Sequence, residues 1–193
     1  MIFWLRDPLT GSLIRVLLRL IFGPLADSLF PPQKVSDSPQ ILLLGPPSSG
    51  KTTFARHLFH KIPEGSTVRS QVYDTITDYP GDEAWMHGLD KKIKDYRIIL
   101  VFFDVSKFTQ DSKYQLDTNA RIDFVYQNAT LNQGILLIAT HADLASGDYT
   151  STVSQCFANK NFKDLKDRIV YVDMREEKSK DTIMKEVKKL IKG

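Results

Sequence analysis

An α/β architecture, a mostly parallel sheet with helices on both faces, follows from three features of this 193-residue chain. Four short apolar runs, at 41–44, 98–103, 135–139 and 169–172, lack the polar alternation of a half-exposed strand and read as strands covered on both sides. Stretches with helical spacing separate them, at 52–61, about 83–94, 112–130, 151–165 and 181–192. A glycine-bounded loop joins the first run to the first helix. Strand alternating with helix implies parallel pairing and a ligand site at the carboxyl ends of the strands.

The first strand, Ile41-Leu42-Leu43-Leu44, leads into Gly45-Pro46-Pro47-Ser48-Ser49-Gly50-Lys51-Thr52, a complete GxxxxGK[ST] string. A buried strand that turns through glycine into a helix aims a row of backbone N–H groups at one point, where phosphate can sit. The fold expected is that of a P-loop NTPase. Lys51 would reach the β/γ-phosphates and Thr52 would ligate Mg²⁺ through its hydroxyl. Pro46 and Pro47 have no N–H to offer. The nucleotide-binding set is therefore Ser48, Ser49, Gly50, Lys51, Thr52 and Thr53.

A fifth strand, 68–77, alternates more clearly and runs into Asp78-Tyr79-Pro80-Gly81. A carboxylate at that strand end can hold Mg²⁺, so Asp78 joins Thr52 as a metal residue. Gly81 lets a backbone N–H approach the γ-phosphate closely. Asp74 competes for the metal, but from within the strand. The run 134–139 ends in Thr140-His141-Ala142-Asp143. Guanine presents N1–H and N2–H side by side, and one carboxylate can accept both; adenine has no such donor pair. Asp143 is a candidate guanine reader, with an ordinary turn or helix cap as the alternative. The last helix carries Ile183, Val187, Leu190 and Ile191 on one stripe.

Composition sets bounds. With 42% hydrophobic and 25% charged residues, the chain can bury a core. A net charge of +3 is too mild to argue for nucleic acid, and none is expected as a partner. The lysines from Lys160 to Lys192 are interleaved with acids and read as the solvated face of a terminal helix. Cys156 is the only cysteine, which suits a reducing compartment. The four histidines show no metal-ligand spacing.

Residues 1–30 differ from the rest. Leu13-Ile14-Arg15-Val16-Leu17-Leu18-Arg19-Leu20-Ile21-Phe22 is the most apolar window, yet Arg15 and Arg19 share a helical face. A central arginine costs about 2.5–3.5 kcal/mol on insertion scales, which disfavours a lone span. A basic amphipathic helix lying in a membrane interface, anchored by Phe3 and Trp4, fits better; a span and a helix packed on protein are the alternatives. Residues 31–39 are a polar, proline-punctuated linker, and the folded domain is 40–193.

The order GxxxxGKT, DxxG and a TxxD motif resembles the small GTPases of the Ras/Arf superfamily over about residues 40–193. Within it, the phosphate loop, the DxPG of Asp78-Tyr79-Pro80-Gly81 and the strand Leu100-Val101-Phe102-Phe103-Asp104-Val105 are most similar to the β subunits of the signal recognition particle receptor. That resemblance implies GTP or GDP with Mg²⁺ as ligands. It also implies base contacts from Thr140, His141 and Asp143, a membrane anchor at residues 1–30, and a place on the cytosolic face of the endoplasmic reticulum. The implied partner at the switch surface is the receptor α subunit.

Departures from the pattern shape the functional expectation. Only 27 residues (78 − 51) separate Lys51 from Asp78, room for one strand after the helix, so the first switch is cut down or missing and Thr67 is its nearest threonine. Asp82 stands where hydrolytic GTPases carry a water-orienting glutamine, and its charge would oppose the developing phosphate anion. His141 replaces the usual lysine, Thr140 the usual asparagine, and no SAK motif is recognisable near Val172-Asp173-Met174-Arg175. The reading is a membrane-associated GTP-binding protein with slow or no intrinsic hydrolysis, recruiting a partner in protein targeting. Its rivals are a nucleotide-independent GTPase-fold scaffold and a hydrolase completed in trans.

Overall fold

The computed structural model describes residues 40–59, 71–73, 76–81 and 88–192. All of them belong to the second of two units into which the chain divides, Ser38–Gly193. The segment 1–30, the linker, Thr67, Asp74 and Asp82 lie outside the described residues. Among the described residues no helix is long and apolar enough to cross a membrane.

Among the described residues six strands form one sheet: β1 (Ile41–Leu44), β2 (Gln71–Tyr73), β3 (Ile76–Asp78), β4 (Ile98–Asp104), β5 (Gly134–Thr140) and β6 (Ile169–Tyr171), in the spatial order β2-β3-β1-β4-β5-β6. Five run parallel, with β1 in register between β3 (Ile41 beside Ile76) and β4 (Ile41 beside Ile98). Only the edge strand β2 is antiparallel, pairing Gln71 with Asp78 and Tyr73 with Ile76. The single strand expected over 68–77 is therefore two three-residue strands folded on each other. The antiparallel pair fits in the 27-residue interval because both strands are short.

The helices are α1 (Lys51–Phe59), α2 (Leu89–Lys92, continued by a 3-10 turn Ile93–Asp95), α3 (Val105–Gln110), α4 (Ser112–Asn128), α5 (Tyr149–Ala158) and α6 (Glu177–Lys192). Two expectations change here. The helix placed at 151–165 ends at Ala158, and a separate 3-10 stretch, Lys163–Arg168, leads into β6. The short α3, which the sequence reading passed over, is capped by Asp104, whose carboxylate accepts from the N–H groups of Ser106 and Lys107.

Strand β1 shows how the two layers form. Leu42 and Leu44 point to one face, packed with Phe108, Ile122, Val125, Val153 and Phe157 from α3, α4 and α5. Ile41 and Leu43 point to the other, packed with Phe54 and Ala55 of α1 and Ile183 and Val187 of α6. Period-2 side chains buried on both faces are why these runs carry no polar alternation. Full burial of each large apolar side chain contributes about 1.5–3 kcal/mol, enough to hold the strands in one register. The core thereby fixes the carboxyl ends of β1, β3, β4, β5 and β6 along one edge.

Candidate functional site

At that edge the chain leaves β1 through Gly45, whose φ of 143° lies where side chains are strained. A Cβ there would also stand 2.1 Å from the Phe102 carbonyl oxygen. Glycine is thus required twice over. Ser48 (φ 58°) and Gly50 (φ 90°) complete the turn, and α1 begins at Lys51. The first helical bond is from Phe54 N–H to the Gly50 carbonyl, at 2.9 Å. The N–H groups of Lys51, Thr52 and Thr53 precede it and have no carbonyl within the helix to meet.

The Lys51 ammonium folds back into this loop. It donates to the carbonyls of Gly45 and Pro46, both at 2.9 Å, and to Ser49 Oγ at 3.4 Å. All three acceptors are neutral. Burial holds its pKa well down, at about 8, with the nearby Asp78 charge opposing that shift and Arg121 adding to it. A buried cation among neutral carbonyls is a receptor for an anion of matching size.

Thr52 Oγ1 donates to Asp78 Oδ2 across 3.2 Å, joining the start of α1 to the end of β3. Asp78 is fully buried. Two hard oxygen donors converging beside a phosphate cradle are the set Mg²⁺ takes together with phosphate and water, so these residues fit that ion. Gly81 packs against the loop itself: a Cβ there would lie 2.6 Å from Pro47 N and 2.8 Å from the Pro46 carbonyl carbon. The DxPG segment and the phosphate loop are in backbone contact, mediated by the two prolines.

On the other flank, Thr140 ends β5 fully buried, its hydroxyl 3.0 Å from the Ser49 carbonyl and 3.1 Å from the Phe103 carbonyl. It holds the loop from below. Since the one hydroxyl proton goes to a carbonyl, the His141 ring, with Nδ1 2.9 Å away, is the donor to that oxygen. The same Nδ1 lies 3.5 Å from Asp104 Oδ2, which fixes the ring although His141 sits at φ 57°. Asp143 follows in the turn after β5; the residue as a whole is exposed, and its side chain, 18% exposed, is covered in part by a neighbour.

Sequence reasoning missed what faces Asp143. In the turn after β6, Arg175 donates through Nη2 to Asp143 Oδ2 and, through Nε and Nη2, to Asp173 at 2.9–3.2 Å. These bonds hold the Asp173 carboxyl below its usual range. The turn is closed by Arg175 N–H on Asp173 Oδ1 at 2.9 Å and Glu176 N–H on the Asp173 carbonyl at 3.1 Å. The Asp-x-Arg spacing was the available signal. The same turn carries Met174, whose Cγ would meet a Cβ on Gly50 at 3.2 Å. The structure thus brings Ser48, Ser49, Gly50, Lys51, Thr52, Thr53, Asp78, Gly81, Thr140, His141 and Asp143 to one sheet edge.

No family model matches the chain, and no curated protein matches it in sequence. Solved structures do match. A crystal structure described as a probable GTP-binding protein, EngB, superposes at TM-score 0.62 and 12% identity, over 79% of this chain and 98% of that one. The fold is that of a P-loop GTPase. A crystal structure of the bacterial selenocysteine-specific elongation factor EF-Sec shares the fold at TM-score 0.57 and 15% identity, over 79% of this chain. This chain spans only 28% of that elongation factor's length. A structure of the mammalian SRP receptor overlaps less well, at TM-score 0.49 and 21% identity over 60% of this chain and 69% of that one.

Proposed function

We propose that this chain binds guanine nucleotide with Mg²⁺ and works as a nucleotide-gated receptor or recruitment subunit at a membrane, in protein targeting. One observation carries the binding: the Lys51 ammonium is buried in the loop and donates to neutral oxygens, beside the Thr52–Asp78 pair. That arrangement costs stability when empty and is repaid by phosphate. Thr52 and Asp78 would hold Mg²⁺, which when bound screens the charge on the nucleotide's phosphates. Asp143 favours guanine, because both guanine N–H donors can reach one carboxylate.

Gating is supported by the backbone contact of Gly81 with Pro46 and Pro47. Phosphate entering the loop changes the surface on which the DxPG segment rests, and that segment leads to the face offered to a partner. A receptor α subunit is the partner the sequence resemblance implies. Slow hydrolysis follows from Asp82, a carboxylate in place of a water-orienting amide. Membrane association rests on the basic amphipathic pattern of residues 1–30, and the cytosolic face of the endoplasmic reticulum on the same resemblance.

Gentle purification of the full chain tests the binding: GTP or GDP should be retained, exchangeable, and displaced poorly by ATP. Recovery of ATP in preference, or an empty protein with no measurable GTP affinity, would defeat it. For the membrane, the full chain should float with anionic liposomes and a chain lacking residues 1–30 should not. Identical flotation of the two would remove that part of the proposal.

A further inference from the structure

Arg175 faces Asp143, the candidate guanine reader. Its guanidinium is pinned to Asp173 through Nε and Nη2, and the same Nη2 reaches across to Asp143 Oδ2. Asp143 belongs to the turn after β5, and Arg175 to the turn after β6. The Arg175 side chain is itself 72% exposed, so it is free to leave without disturbing the core. A guanidinium presents parallel N–H donors in one plane, the same pattern that guanine presents at N1 and N2.

We propose that Arg175 is an internal competitor for Asp143: it holds Oδ2 of that carboxylate and must yield it before guanine can be read with both donors. This rests on the guanine reading given above. The arrangement does two things. It lowers guanine affinity by the worth of one exposed ion pair. It also penalises a base lacking two adjacent donors, since that base would have to break the pair and leave Asp143 without replacement bonds. Asp173 keeps the displaced guanidinium close at hand, so the latch re-forms when nucleotide leaves.

The test uses the full chain with two probes, GDP and inorganic pyrophosphate, and two variants, Arg175→Ala and Arg175→Gln. Pyrophosphate fills the phosphate loop but has no base. Both variants should bind GDP about two- to fivefold more tightly than the parent at low salt, the range an exposed ion pair spans. Pyrophosphate affinity should not change. The GDP gain should shrink at high salt, where the competing ion pair is screened. Equal or weaker GDP binding by both variants, with pyrophosphate unchanged, would overturn the latch and leave the guanine reading standing. A parallel change in both probes would place the effect at the phosphates and also overturn it. If parent and variants bind pyrophosphate but not GDP, the guanine reading fails first, and the latch with it.

Discussion

Lys51 shows how a binding residue can work against the fold that holds it. Its ammonium is desolvated to the point that its pKa falls to about 8 from an ordinary 10.5. A lysine depressed in the folded state costs stability while it is charged, below about pH 8, and the cost is relieved as pH rises toward the unfolded value. At neutral pH the empty protein therefore carries the penalty in full. Replacing Lys51 with methionine keeps the apolar stem and removes the charge. The expected result is a nucleotide-free melting temperature at pH 7 that holds or rises, together with at least a hundredfold loss of GDP affinity, since a buried charge-assisted contact to phosphate is worth several kcal/mol. A fall in the melting temperature with affinity retained would show that the ammonium is a structural strut. This residue was legible in the sequence because its neighbours dictate its place: the loop string and the strand before it leave Lys51 one direction to point. Arg175 was legible only in part: the Asp-x-Arg spacing ties it to Asp173, but no spacing in the chain shows that the same guanidinium also reaches Asp143.

Elements divide along the same line. The strands at 41–44, 98–104 and 134–140 could be read because both faces are buried and hydrophobicity runs unbroken. The antiparallel pair β2–β3 could not. Over ten residues, alternation looks the same for one strand as for two short strands that pair with each other, because each keeps a side-chain period of 2. Only pairing, with Val72 beside Thr77, separates the cases. Helix α3 was missed for a different reason. At six residues it is too short for a 3.6-residue period to register, and its cap, Asp104, also ends β4. A second cap, Asp111, accepts from Lys113 and Tyr114 N–H and restarts the chain as α4. Two aspartates seven positions apart were the sign that a short helix precedes the one read at 112–130.

At the scale of the molecule, the sheet acts as a jig: loops from β1, β3, β4, β5 and β6 are brought to one edge by packing far from them. The fold class was readable from that alternation alone, and the coupling between loops was not, because it depends on backbone approach. Gly81 carries the coupling. Its φ is unexceptional for any residue, so space alone demands glycine: an added Cβ would lie 2.6 Å from Pro47 N and 2.9 Å from Pro47 Cα. Neither is the end of a flexible side chain. Proline also stiffens the loop at that spot, so the DxPG segment would have to retreat. Gly81→Ala should therefore spare what the loop and Asp143 do for GDP and weaken what Gly81 adds for the third phosphate. The expected outcome is a fall of about tenfold in the ratio of GTP to GDP affinity, a cost of about 1.4 kcal/mol, of the size ordinary for overpacking between backbones. Fluorescent-nucleotide titrations with each ligand measure it. An equal loss for both nucleotides would mean that the glycine merely shapes the loop, and the contact between Gly81 and the prolines would then transmit nothing about which nucleotide is held.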